Sequence, residues 1–230
     1  MKILEVKKIN KSFDNKEIIK NVSFSIVPGK IVGLLGKNGS GKSTILKMLN
    51  DLLTVDSGEI LIDNKKIGVE TKSLVSYLPE RTYLESSQTV AQVFKFFEEF
   101  YADFDREKAE SLLKDLDLVL DASLSKMSKG MKEKIQLILV MSRRAKLYIL
   151  DEPLGGVDPS TREYILQTIL SNFGEDSSLL ITTHLIADVE KILDQVIFID
   201  KGKIILNEEA DKLRAKHKLS IDEIFRREVK

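Results

Sequence analysis

Gly36-Lys37-Asn38-Gly39-Ser40-Gly41-Lys42-Ser43, followed by Thr44, is the stretch whose reading decides the fold. The apolar run Ile31-Val32-Gly33-Leu34-Leu35 precedes it, and the amphipathic run Thr44-Ile45-Leu46-Lys47-Met48-Leu49 follows it. Strand, glycine-rich turn, helix is the context that a phosphate-binding loop requires. The glycines let the backbone curl so that successive N–H groups face one concavity. The helix that starts there adds its unpaired N–H groups and the positive end of its dipole. Lys42 can reach β- and γ-phosphates, and the Ser43 hydroxyl can hold Mg²⁺. Each charge-assisted hydrogen bond contributes about 1.5–3 kcal/mol, so several in one loop make a triphosphate site.

The chain around this loop is 230 residues long and 43% hydrophobic, enough to fill a sizeable core. Its 36 basic residues equal its 36 acidic ones, which gives no electrostatic case for nucleic acid as the main partner. Cysteine is absent, which excludes disulfides and thiol chemistry and suits the cytosol. The first residues lack the longer apolar core of a signal peptide. No apolar run approaches the ~18 residues of a membrane span. A membrane role would therefore need the spans of another subunit.

Outward from the loop, the pattern changes twice. Residues 3–35 read as short strands, with breaks at Asp14-Asn15 and Pro28-Gly29. A helix is expected over 42–52, a strand over 59–62, and another over 74–78 that ends at Pro79. From about 89 to 144 the periodicity is helical. Val93, Phe97, Phe100 and Phe104 fall on one face, and Lys108, Leu112, Leu113, Leu116 and Leu120 continue in a second helix. After 145, strand and helix alternate over 146–150, 160–172, 178–182, 186–193 and 195–200. That βαβ pattern implies a mainly parallel sheet. The expected organisation is a core of residues 1–79 and 145–207, a helical insert at about 80–144, and a charged helical tail over 208–230.

Leu147-Tyr148-Ile149-Leu150-Asp151-Glu152 is a buried strand ending in two carboxylates. Ligands collect at the carboxyl ends of parallel strands, so Asp151 is placed to hold Mg²⁺ opposite Ser43. Glu152, the next residue, points elsewhere and is the candidate for polarising an attacking water. Thr182-Thr183-His184 ends another strand. A lone His there either serves the structure or hydrogen-bonds a γ-phosphate and its water.

The order of these motifs resembles the nucleotide-binding subunit of ATP-binding-cassette (ABC) transporters over essentially the whole chain. Residues 36–43 are similar to the Walker A loop and 147–152 to the Walker B strand with its glutamate. Leu154-Gly155-Gly156-Val157-Asp158 resembles the D-loop, and His184 the switch histidine. Met127-Ser128-Lys129-Gly130-Met131 resembles the signature, with Ser128 23 positions before Asp151. The resemblance implies the P-loop NTPase fold of the family: an α/β core with a mainly parallel sheet, an N-terminal antiparallel β layer and an inserted α-helical subdomain. It also implies that Glu152 and His184 support ATP hydrolysis with Mg²⁺. Two such domains would pack head to tail, so that Ser128, Lys129, Gly130, Met131 and Asp158 act on the partner subunit's nucleotide. A Ser at a helix start is in any case an ordinary N-cap, and both roles are compatible.

Four positions depart from the family pattern. Lys129 and Met131 replace a glycine and the glutamine of the usual signature, a form similar to a subset of bacterial drug- and peptide-export ATPases. Glu80 stands where the family has glutamine, and a carboxylate there can also ligate Mg²⁺. Phe13 stands at the position of the aromatic that stacks on adenine, and it keeps the ring without a hydroxyl. The resemblance also places a groove for a permease helix near the Phe-rich stretch 94–104.

The function so implied is ATP hydrolysis that powers a separate membrane-spanning permease, an exporter of drugs, peptides or other amphipathic molecules. The working unit would be a dimer with an identical or paralogous subunit, peripheral at the inner face of the cell membrane. A DNA-repair relative would need a long coiled coil between the motifs, whereas Lys42 and Asp151 are only 109 positions apart. A ribosome-associated relative would usually carry two cassettes. An immunity or regulatory ATPase that sequesters its partner is the remaining alternative.

Overall fold

A computed structural model describes residues 1–174 and 176–229. Strand β1 (Leu4–Phe13) turns through Asp14 and Asn15 into β2 (Lys16–Ile26). Both turn residues have left-handed φ, 46° and 62°, the geometry that matches the twist of an antiparallel pair. Next come β3 (Ile31–Leu35), α1 (Lys42–Leu49), β4 (Ser57–Ile62), β5 (Lys65–Lys66), α2 (Val69–Lys72) and β6 (Val75–Leu78). The segment between β6 and the next strand carries α3 (Val90–Phe100), α4 (Arg106–Lys114) and α5 (Lys129–Met141). The chain closes with β7 (Leu147–Asp151), α6 (Pro159–Asn172), β8 (Ser178–Thr183), α7 (Ile186–Val189), β9 (Gln195–Asp200), β10 (Lys203–Glu209), α8 (Ala210–His217) and α9 (Ile221–Glu228).

Two sheets result. One is antiparallel, in the order β2-β1-β4-β5, and the other runs β10-β9-β3-β8-β7-β6. In the second sheet β3 lies parallel between β8 and β9, and β7 parallel between β6 and β8. All five residues of β3 and of β7 are buried, as both-face burial of a parallel strand demands. The strand ends at Leu35, Asp151 and Thr183 therefore open on one edge of the sheet, where three motifs meet.

Three apolar clusters hold the layers. One fills the space between the antiparallel sheet, α1 and one face of the parallel sheet, through Ile9, Ile26, Ile45 and Leu180. A second lies on the opposite face under α6 and the tail helices, where Phe198 meets Phe225 edge to face. The third is the interior of the helical insert, with Phe94, Phe97, Leu113 and Leu124. Helix α5 belongs to two of them: Leu137, Val140 and Met141 face the sheet, while Ile135, Ile138 and Leu139 face the insert.

The structure corrects the expected insert. The buried stripe of α3 is Val90, Val93, Phe94 and Phe97, whereas Phe100 is 68% exposed. The helix ends at Phe100 and Tyr101 turns extended, so the periodicity does not carry on to Phe104. Helix α4 stops at Lys114, and Asp117 turns left-handed, which leaves Leu116 and Leu120 outside it. The helix after Lys42 stops at Leu49, and that after Ile186 gives way to a 3-10 turn over Glu190–Ile192. Strand β10 goes beyond the sequence reading, because its exposed and half-buried residues alternate without a buried side chain.

Arg143, just past α5, ties the insert to the core. Its guanidinium is buried, and it grips both oxygens of Asp103 at 3.0 and 3.2 Å. It also donates to the carbonyls of Val75 (2.6 Å) and Ser73 (3.1 Å), and it lies 4.0 Å over the Tyr101 ring. Arg143→Met is expected to destabilise the protein by about 3 kcal/mol or more, as removal of one partner from a buried ion pair does. Arg143→Lys should recover little of that, because lysine lacks the planar fork of donors. Urea unfolding followed by circular dichroism measures both; a midpoint unchanged by Arg143→Met would remove Arg143 from this role.

Candidate active site

The phosphate loop forms because glycine alone fits two of its positions. A Cβ on Gly36 would stand 2.6 Å from the Ile199 carbonyl oxygen. Gly41 has φ +109°, and a Cβ there would meet Ile19 Cδ1 at 2.6 Å. Gly41 is also the N-cap of α1 and supplies no side-chain cap, so the first N–H groups of that helix remain available to an anion. The Ser40 hydroxyl is buried with no hydrogen-bond partner among the described residues. Lys42, 6% exposed, donates back to the carbonyl of Gly36 at 2.8 Å.

The two carboxylates diverge. Asp151 Oδ1 accepts from Thr182 Oγ1 at 2.7 Å and from Ser43 Oγ at 3.4 Å. Burial pushes the Asp151 carboxyl above its ordinary range, and those two hydrogen bonds oppose the shift. Glu152 sits in a left-handed conformation, φ 49°, a strained backbone of the kind that collects at functional sites. Its N–H donates to both the carbonyl and the hydroxyl of Thr182, each at 3.1 Å. That conformation swings its side chain away from Asp151 toward the cleft. Glu152 Oε1 ion-pairs with Lys42 Nζ at 3.2 Å, and Oε2 lies 2.9 Å from His184 Nδ1 and accepts the His184 backbone N–H at 3.2 Å.

These groups open on one cleft of about 1120 Å³. Phe13, Asn38, Gly39, Lys42, Ser43 and Thr44 line it on the loop side, and Glu80, Glu152 and His184 line it further along. Lys129, Gly155 and Gly156 complete its rim. Lys37 is exposed beside it and accepts the Ser40 N–H through its carbonyl. Ser128 caps α5, its hydroxyl accepting from the Met131 N–H at 3.2 Å, and both Ser128 and Lys129 are exposed. Gly130 packs close to Asp158, which caps α6 through the Thr161 N–H at 3.0 Å. Hydrogen bonds from Ser160 and Thr161 hold the Asp158 carboxyl well below the usual carboxylate range.

A hydroxyl and a carboxylate oxygen facing each other, Ser43 and Asp151, are the oxygen donors that Mg²⁺ prefers, and the set fits that ion. Glu80 lines the same cleft, but among the described residues no three His, Asp or Glu side chains gather as a metal cluster. Thr182 escaped the sequence reading. The one available signal was a Thr at a strand end, and its meaning depends on β8 lying between β3 and β7.

A parallel sheet with a phosphate loop after β3, and an acidic pair at the end of β7, defines a P-loop ATPase. The chain belongs to the ABC transporter family, whose model matches residues 19–155. It is an ATP-binding, ATP-hydrolysing transporter subunit. It is 30% identical to the ABC transporter ATP-binding protein YtrB of Bacillus subtilis, over 94% of this chain and 75% of that one. It is also 30% identical to the SkfA peptide export ATP-binding protein SkfE of the same organism, over 89% and 88%. A solved ATP-binding subunit of an ABC transporter superposes with a TM-score of 0.88 at 26% identity, over 98% of both chains. Among the described residues no helix is long and apolar enough to cross a membrane.

Proposed function

We propose that this chain powers export of drugs, peptides or other amphipathic molecules through a separate membrane-spanning permease. It would act peripherally at the inner face of the cell membrane, as one half of a dimer with an identical or paralogous subunit. The observation that carries this reading is the contact of Lys42, Glu152 and His184 in a cleft whose rim includes the exposed signature residue Lys129. In the closed dimer Ser128, Lys129, Gly130 and Met131 of one subunit complete the γ-phosphate face of the other, with Asp158 beside them. Phe13, half exposed on the cleft wall, stacks on the adenine.

Within the site, the loop N–H groups and Lys42 hold the phosphates. Ser43 and Asp151 would hold Mg²⁺, with Glu80 next to them, and the ion so held would supply positive charge to the phosphate oxygens. Glu152 accepts the proton of the attacking water. His184 fixes the Glu152 carboxylate through its backbone N–H and faces the same oxygen with its ring.

A second cavity, of about 540 Å³, supports the permease reading. Leu52, Tyr77, Pro79, Tyr83, Phe96 and Arg143 are among its lining residues. Phe96 is 48% exposed there, and Leu52 and Tyr83 are also exposed, an apolar surface suited to a partner helix. The test is co-purification with the cognate membrane subunit, together with ATPase rate in its presence and absence. Phe96→Glu is expected to lower recovery of the complex by about tenfold, since a charge buried in an apolar contact costs more than 1.4 kcal/mol, while ATP binding by the isolated chain is unchanged. Wild-type recovery with Phe96→Glu would move the docking surface elsewhere. A full rate without any membrane subunit, unaltered when one is added, would favour the regulatory alternative.

A further inference from the structure

Lys11 and Lys42 are the two buried lysines among the described residues. Lys42 belongs to the phosphate loop, whereas Lys11 is not among the residues that line the nucleotide cleft. A buried ammonium needs a partner, and Asp56, immediately before β4, supplies one at 2.6 Å. The other oxygen of Asp56 accepts the Ser12 N–H at 2.7 Å, and the Asp56 N–H donates to the Asn10 carbonyl at 3.0 Å. Lys11 first, and Ser12 second, hold the Asp56 carboxyl below its ordinary range. The register of β1 is irregular on both sides of Lys11, which lets this one lysine turn inward beside a strand end.

The ammonium so fixed lies over the Phe13 ring, 5.6 Å from its centroid. That is within cation–π range. Phe13 itself ends β1 and lines the nucleotide cleft. A cation held against one face of a ring draws π density toward itself and leaves the other face better suited to an electron-rich base.

We propose that Lys11, anchored by Asp56, is a positioning residue for the base platform: it fixes and polarises the Phe13 ring on which the adenine stacks. The proposal rests on the reading of Phe13 as that platform. The alternative, a tie between β1 and the turn before β4, would act on the fold and not on the base.

The experiment measures equilibrium binding of ATP, and of inorganic tripolyphosphate, which has no base, to the full chain. Phe13→Ala is expected to weaken ATP by about tenfold, the scale of one base–aromatic stack. Lys11→Met should weaken ATP by about fivefold, and Lys11→Arg should stay within about twofold of the wild type, because arginine keeps the cation over the ring. Tripolyphosphate should bind all of them alike. In the Phe13→Ala background, Lys11→Met should change nothing further. Should Lys11→Met fail to fold, Asp56→Asn goes through the same measurements, with a smaller loss expected for ATP alone. Unchanged ATP binding by Phe13→Ala would overturn the platform and this proposal with it. A normal Phe13→Ala loss would instead overturn only the role of Lys11 if Lys11→Met left ATP unaffected, weakened tripolyphosphate equally, or acted fully without the ring.

Discussion

Glu152→Gln is expected to abolish steady-state ATP hydrolysis while leaving ATP binding intact or tighter. The amide keeps the size of the carboxylate, so the left-handed backbone at residue 152 and its two bonds to Thr182 remain. What disappears is the group proposed to take the proton of the attacking water, a contribution of about 10²–10⁴ in rate. The same change dissolves the ion pair with Lys42, which stands 3.2 Å from Glu152 Oε1. The lysine must turn toward a phosphate to bind it, and in the variant no carboxylate competes for it. Slower hydrolysis and tighter binding act in the same direction, so an ATP-dependent dimer should accumulate on size exclusion. Phosphate release near the wild-type rate would remove Glu152 from the reaction.

Lys42→Met has the second large effect, and it has two parts. Lysine supplies charge-assisted hydrogen bonds to the phosphates worth about 1.5–3 kcal/mol each, so the Kd for ATP should rise at least about 100-fold. Removing the ammonium also strands Glu152, 9% exposed, with His184 as its remaining ion-pair partner among the described residues. Breaking a buried pair by deleting one partner costs about 3–5 kcal/mol, and the surviving contacts to His184 put this case at the low end. The double variant with Glu152→Gln separates the two parts: it should regain thermal stability and still fail to bind ATP. Tight ATP binding by Lys42→Met, measured by equilibrium dialysis, would rule out this use of the lysine.

Both predictions rest on motifs that a sequence can display, because each is local. The phosphate loop and the acidic strand end are short runs whose chemistry depends on neighbours in the chain. Their meeting, across 108 positions from Ser43 to Asp151, follows from the rule that parallel strands deliver ligand groups to one edge. Other contacts depend on strand order or on distant partners. Thr182 bridges Asp151 and the Glu152 N–H because β8 runs beside β7, although α6 separates the two in sequence. Arg143 looks like an ordinary surface residue after a helix, since its partners Asp103, Ser73 and Val75 lie 40 to 70 positions upstream. Phe100 misleads for the opposite reason: its spacing from Phe97 fits the buried face, but the helix ends there and the ring stays exposed beside Phe96. Lys11 carries no local sign at all of being buried, because the irregular register that turns it inward is a property of paired strands.

Helix α5 begins at the Ser128 cap, ends beside Arg143, and shows different faces to two apolar cores. Its 13 residues span about 20 Å. One residue added between Ser128 and Ile138 would rotate everything beyond it by about 100°. Ile138 and Leu139 would leave the insert, Val140 and Met141 would leave the sheet, and Arg143 would lose Asp103. Longer loops at Asp117 or after Phe173 would cost little by comparison. Descendants of this chain can therefore lengthen at such loops, while the residue count of α5 is held fixed from both ends.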